Sequence, residues 1–186
     1  DCLQWDSATN LVRKLYRDKN YRISLLVGCG IFFGLRISDL LQLTWDMLLS
    51  DKSFELIEKK TKKHREIRIN SNFQKHVQKC YDALSIADRS EKCFISRKNS
   101  VYSIQRINVL LKGIKAKYSL KSVKNFSSHS LRKTFGRHVY EKADTNGEMA
   151  LVMLSELFNH SNIAITKRYL GLRKEEILHC YDLLEF

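Results

Sequence analysis

Apolar residues recur at three- and four-residue spacing from residue 8 to residue 34, through "TNLVRKLYRD" and "YRISLLVGCGIFFG". This period predicts helix. Gly34, just past the second run, suits a left-handed helix stop. "ISDLLQL" predicts a further helix starting near Ser38. From Trp45 the period changes. The alternating stretches "FELIE" and "EIRIN" flank a basic segment and predict a β-hairpin with its tip near residues 60–64. Phe73, Val77, Cys80, Tyr81 and Leu84 mark one face of a helix. "CFI" suits a short strand. Ile104, Ile107, Leu111 and Ile114 mark another helix. Residues 130–142 and 148–158 predict two more, broken by "DTNG". Residues 163–170 predict a short helix and 175–184 a final one. No internal repeat or linker-like stretch interrupts the pattern. The expected fold is mainly α (α+β): one compact helical domain over residues 1–186, with a small antiparallel β-sheet.

Composition sharpens this picture. Proline is absent, where usage of about 5% would give roughly nine, and this favours long uninterrupted helices. The longest apolar run, "ISLLVGCGIFFGL", is too short to cross a bilayer. Asp1 and Asp6 stand where a signal peptide needs basic and apolar residues. The first residue is not Met, so a piece of a longer protein is expected. The cysteines (Cys2, Cys29, Cys80, Cys93, Cys180) are odd in number and scattered, with no CxxC pair. That favours reduced thiols in a cytoplasmic protein over a disulfide framework, and leaves no seed for a zinc site. Net charge changes the functional outlook most. A formal charge of +13 attracts polyanions, and nucleic acid is the expected partner.

Certain basic and aromatic residues sit where a solvated surface would not need them. In "GLRISDL", Arg36 lies between Leu35 and Ile37 at the end of a very apolar helix. It either snorkels or is held inward for a ligand. Asp39, three residues on, is placed to orient it. In "HSLRKTFGRH", His129 and Arg132 are three apart and share one side of a helix start. Arg132 lies beside Leu131, with Phe135 and Val139 continuing the buried face; Arg137 points elsewhere. In "FNHSNIAITKRY", Asn159 suits a left-handed stop and Asn162 suits the cap of the next helix. His160 falls in the turn between them. Tyr169 sits about two turns into that helix, nine residues after His160. Each residue alone has an ordinary reading, as a capping, core or surface side chain.

Their order and spacing do not. "GLRISDL", a hairpin lysine 24 residues after Arg36, "HSLRKTFGRHVY" and "LSELFNHSNIAITKRYLG" together resemble the catalytic domain of the tyrosine recombinase (lambda-type phage integrase) family, from about residue 10 to 180. Some positions depart from that pattern. Asp39 stands where the family usually has Glu, and Asn159 where Gly is common. The tip "KKTKKHRE" lacks a frequent glycine, so Lys59 or Lys62 competes with Lys60 as the hairpin lysine. The 28 residues from Arg132 to His160 are more than expected, with "DTNGEM" as the insertion. The family's N-terminal core-binding domain, which completes a clamp around DNA, is expected to be missing from this chain.

The resemblance implies a metal-free reaction without cofactors. Arg36 and Arg132, with planar donors that stay protonated, suit the charge that develops on the non-bridging phosphate oxygens. His160 adds a hydrogen bond. Tyr169 is the implied nucleophile, and leaves a 3′-phosphotyrosyl bond and a free 5′-hydroxyl. His129 is the expected base and Lys60 the general acid for the leaving oxygen. Lys62, Lys63, Arg65, Lys121, Lys124 and Lys133 are expected on backbone phosphates. The implied partners are double-stranded DNA and further copies of the chain, assembled as a tetramer through the C-terminal segment. The expected function is site-specific recombination by an integrase or transposase of a mobile element. A dimer-resolving recombinase uses the same chemistry. A DNA-binding accessory protein without catalysis is the reading from another class, and the full residue set argues against it. Type IB topoisomerases share the strategy, but the short hairpin and compact length favour a recombinase.

Overall fold

The computed structural model describes residues 1–143 and 146–183. Asp144 and Thr145 of the expected "DTNG" break, and Leu184 of the expected last helix, lie outside them. Helix α1 (Trp5–Arg17) buries Ala8, Leu11, Val12 and Leu15, one stripe at helical spacing. Helix α2 (Tyr21–Phe33) is apolar on nearly every side and accordingly sits in the middle, packed on α1, α5 and α7. Gly30 permits this. A Cβ there would lie 2.7 Å from Leu131 Cδ1 of α7. Gly34 ends α2 in the left-handed region at φ 58°, as the sequence predicts.

Two short helices follow, α3 (Ile37–Leu40) and α4 (Trp45–Leu48). Strands β1 (Ser53–Ile57) and β2 (His64–Arg68) then form the expected hairpin, antiparallel, with Phe54 opposite Ile67 and Ile57 opposite His64. The tip holds Lys62 at φ 58°, so a lysine occupies a conformation that glycine adopts at less cost. Helix α5 (Ser71–Leu84) buries Phe73, Val77 and Cys80, and Asn70 caps its first turn. "CFI" forms no strand. Cys93 and Phe94 are fully buried, and pairing is limited to isolated bridges, Thr44 with Lys92 and Ile95 with Val101. A run this short has no neighbouring strand to extend a ladder.

Helix α6 (Ile104–Lys117) leads through a lysine-rich loop to α7 (Ser128–Lys142). α7 starts two residues before the expected position, because Ser127 and Ser130 form a reciprocal capping box. Helices α8 (Gly147–Phe158) and α9 (Ile163–Leu170) match their predicted ends. Helix α10 (Leu172–Asp182) starts three residues before the expected position. Only Leu172 is buried, while Ile177, Leu178 and Tyr181 all face solvent.

The apolar interior has two parts. The larger is built from α1–α7 and the hairpin. The smaller joins Leu151, Leu154, Phe158, Leu170 and Leu172, with Phe135 and Tyr169 packed against it. The candidate site lies along the seam between them.

Candidate active site

The six residues expected to carry chemistry (Arg36, Lys60, His129, Arg132, His160 and Tyr169) line one open cavity of about 370 Å³. They come from five separate segments. Gly34 turns the chain sharply, and Arg36 then caps α3 with extended backbone, which aims its side chain back across the end of α2. Arg36 Nη2 donates to the Phe158 carbonyl at 2.8 Å. Arg132, on the buried face of α7, donates to the same carbonyl at 3.1 Å and to the Gly34 carbonyl at 2.6 Å. Its guanidinium also lies 4.2 Å from the Phe158 ring centroid. Phe158 closes α8, so its carbonyl lies at the negative end of that helix, which favours cations. Burial, and then Arg36 and Arg65, lower the Arg132 pKa to about 10, which leaves it charged at neutral pH.

Asn159 takes the left-handed conformation at φ 51°, and the turn it makes presents His160. Asn162 Oδ1 caps α9 through the Ile165 N–H. Both match the sequence expectation. His160 Nδ1 pairs with the fully buried Thr166 hydroxyl at 2.9 Å. Burial, with Arg132 and Arg36 nearby, holds the imidazole below its usual pKa, so it is neutral at rest. Tyr169 stacks edge-on against His160 and Phe158, with centroids 5.4 and 5.6 Å apart. Its hydroxyl donates to the His129 carbonyl at 3.4 Å. Burial pushes the phenol up to about 12, although Arg132 and Arg36 pull the other way. His129 is exposed in the first turn of α7. Lys60 is exposed on the hairpin tip.

Two expectations need correction. Asp39 does not meet Arg36. It is fully buried, and its Oδ1 accepts from the Lys59 N–H at 2.8 Å, so it holds the base of the hairpin tip instead. Its side chain is one carbon shorter than Glu, and it projects from inside α3 toward the hairpin. Arg65 is turned inward and does not line the cavity. Its donors go to the Glu58 carboxylate at 3.3 Å and the Phe33 carbonyl at 2.8 Å, because its strand position turns it inward. Lys62, Lys63, Lys121 and Lys124 are exposed, whereas half-buried Lys133 lies 5.1 Å from the Tyr169 ring centroid.

Glu58 is the residue that sequence reasoning missed. It pairs with Arg36 at 2.8 Å and is 1% exposed. Strand alternation held the signal: Phe54 and Leu56 face inward, and Glu58 has the same parity. Ser128 also lines the cavity, with a buried hydroxyl that has no partner among the described residues. Among those residues no group of three or more His, Cys, Asp or Glu side chains is placed to hold a metal ion, and no helix is long and apolar enough to cross a membrane.

The phage integrase family model matches residues 7–176. A similar curated protein is the probable integrase/recombinase YoeC of Bacillus subtilis (strain 168). It is 29% identical over 174 residues, which cover 92% of this chain and 90% of that protein. Among solved structures, the XerA recombinase superposes with a TM-score of 0.73 at 20% identity, over 100% of this chain and 66% of its own. The XerH recombinase, in a pre-cleavage complex with its difH substrate, gives 0.68 at 19% identity, over 95% of this chain and 52% of its own. These two structures share the fold. The chain belongs to the phage integrase family, and the mostly helical domain with a two-stranded antiparallel sheet is that family's catalytic-domain fold.

Proposed function

We propose that this domain breaks and rejoins DNA strands as a site-specific tyrosine recombinase, with Tyr169 as nucleophile. The supporting observation is that Tyr169 and five groups suited to phosphoryl transfer surround one cavity of a single chain. This favours attack by the tyrosine of the same chain whose arginines hold the phosphate. It also argues against an accessory protein without catalysis.

The chemistry balances without any external energy source. Tyr169 Oη bonds to phosphorus, and the P–O5′ bond breaks. The phenolic proton passes to His129, and the departing 5′ oxygen takes a proton from Lys60. Arg36 and Arg132, anchored on the Phe158 carbonyl, keep remaining N–H groups for the non-bridging oxygens. With the Thr166 hydroxyl donating to His160 Nδ1, Nε2 carries the proton and becomes a further donor. A 5′-hydroxyl then attacks the 3′-phosphotyrosine and restores the phosphodiester.

The substrate in this reading is double-stranded DNA in the cytoplasm, drawn by a net charge of +13. Exposed Lys62, Lys63, Lys121 and Lys124 are positioned to meet the backbone. The similarity to a probable integrase/recombinase supports the recombinase reading, in the role of a mobile-element integrase or transposase or of a dimer resolvase. A second, N-terminal half would complete the clamp. Solvent-facing Ile177, Leu178 and Tyr181 on α10 support assembly, as a tetramer on DNA, through the C-terminal segment. The test is a nicked duplex carrying the target site. The wild-type chain forms an adduct that survives denaturing gels and Tyr169→Phe forms none. Equal adducts from both would move the nucleophile elsewhere.

A further inference from the structure

The chemistry above gives Glu58 no step, yet its carboxylate gathers donors from four segments. Oε2 accepts from Arg36 Nη1 at 2.8 Å, Thr61 Oγ1 at 2.7 Å and Asn159 Nδ2 at 3.1 Å. Oε1 accepts from Arg65 Nη1 at 3.3 Å. A carboxylate this buried is costly unless it is paired and hydrogen-bonded, and here it is both. It also places one negative charge among the arginines gathered at the site. The partners define a geometry. Arg36 stands at the start of α3, Arg65 lies on β2, Thr61 belongs to the hairpin tip beside Lys60, and Asn159 immediately precedes His160.

The backbone of Glu58 does related work. Its N–H donates to the Lys63 carbonyl and its carbonyl accepts from the Lys62 N–H, so this one residue closes the tip from both sides. The next peptide N–H, that of Lys59, is held by Asp39. Lys60 is exposed, so its placement depends on how the base of the tip is held.

We propose that Glu58 is a positioning residue that fixes the Lys60 hairpin in register with Arg36 and with the turn bearing His160. The inference rests on the recombinase reading and adds a residue to it. Removing the Glu58 links frees the hairpin, so proton delivery by Lys60 suffers beyond any effect on phosphate binding. A leaving thiolate needs no proton, because thiols ionise near pH 8.5. DNA with sulfur at the 5′-bridging position therefore reads hairpin placement separately from folding.

The experiment compares wild type, Glu58→Gln and Thr61→Val in single-turnover adduct formation on oxygen- and sulfur-bridged nicked duplexes. For Glu58→Gln the ratio of sulfur to oxygen rates rises at least about tenfold over wild type, within the roughly 10²–10⁴-fold that a positioned acid contributes. Thr61→Val, which removes the Glu58 link to the tip together with a 3.5 Å contact from the Lys63 N–H within it, raises the same ratio and keeps the wild-type rate on sulfur. Partial unfolding lowers both rates in proportion and leaves the ratio alone. Wild-type ratios in both variants overturn the proposal while the recombinase reading stands. If wild type forms no adduct on either duplex, that reading fails and the proposal falls with it.

Discussion

Arg36 and Arg132 meet on one acceptor, the carbonyl oxygen of Phe158, at 2.8 and 3.1 Å. Two guanidiniums repel each other, and the end of α8 offsets that repulsion with its helix dipole and a carbonyl that has no acceptor role inside the helix. The arrangement holds both cations in place without a ligand, so in the proposed reaction little reorganisation is left for the transition state.

Arg132→Lys keeps the charge but loses the fork that spans the Gly34 and Phe158 carbonyls. The expected loss in single-turnover cleavage is about 10²–10³-fold, the scale of one electrostatic donor. It is the same on oxygen- and sulfur-bridged DNA, because the charge concerned sits on non-bridging oxygens. A rate within a few-fold of wild type would mean that charge alone suffices and the fork has no role.

Much of this site is legible in the sequence because its residues lie on elements with clear local signals. Gly34, Asn159 and Asn162 occupy the turn and cap positions that place Arg36, His160 and Tyr169, and each follows from local backbone chemistry. The pairing of carboxylates was not legible. Asp39 is close to Arg36 in sequence but is directed to Lys59, while Glu58 reaches Arg36 from a different strand. Arg65 reads as a surface cation in a basic stretch, and only the hairpin's twist against α2 brings it to the Phe33 carbonyl. Such contacts depend on tertiary register, which spacing does not encode. The partner of the last helix is not legible for a similar reason. Its apolar residues suit either its own domain or a neighbouring copy, and nothing on the described part of this chain covers them.

Lys60→Ala is expected to slow cleavage of ordinary DNA by about 10²–10⁴-fold. On the sulfur-bridged duplex it runs close to the wild-type rate. Single-turnover adduct assays of Lys59→Ala, Lys60→Ala and Lys62→Ala assign the acid. Rescue confined to a neighbour moves the role there; rescue of none leaves the hairpin as a DNA contact.

Ending the chain at Leu172 keeps the buried residue of α10 and removes the rest, where every described residue from Arg173 to Leu183 is exposed. The surface ion pairs lost, Arg137–Glu175 and Lys167–Glu176, are worth about 0–1 kcal/mol each. Urea unfolding of the truncated chain should therefore stay within about 2 kcal/mol of the parent, while sedimentation on DNA shows fewer copies per complex. A chain that no longer folds would show that α10 packs on its own domain. Unchanged assembly would remove it from the protomer contact.

Tyr169 makes alkaline stability a probe of the proposed nucleophile before any DNA is added. Burial raises its folded pKa to about 12, against about 10 in an unfolded chain. The folded state thus holds the phenolic proton more tightly. For a group with a raised folded pKa, that stabilisation is fully present below pH 10 and lost as pH rises from 10 to 12. Two pKa units correspond to about 2.7 kcal/mol at full loss, and about half of it is lost by pH 11. Tyr169→Phe has no proton to lose. Other tyrosines and lysines titrate in both proteins, so the comparison uses the difference between them. Urea unfolding at pH 8, 9, 10 and 11 should show the stability gap moving in favour of Tyr169→Phe by about 1–2 kcal/mol across the series, with nearly all of the change above pH 9. A constant gap would mean that the Tyr169 phenol ionises as easily folded as unfolded. The arginines would then already overcome burial, and the nucleophile would be poised without the base assigned to His129.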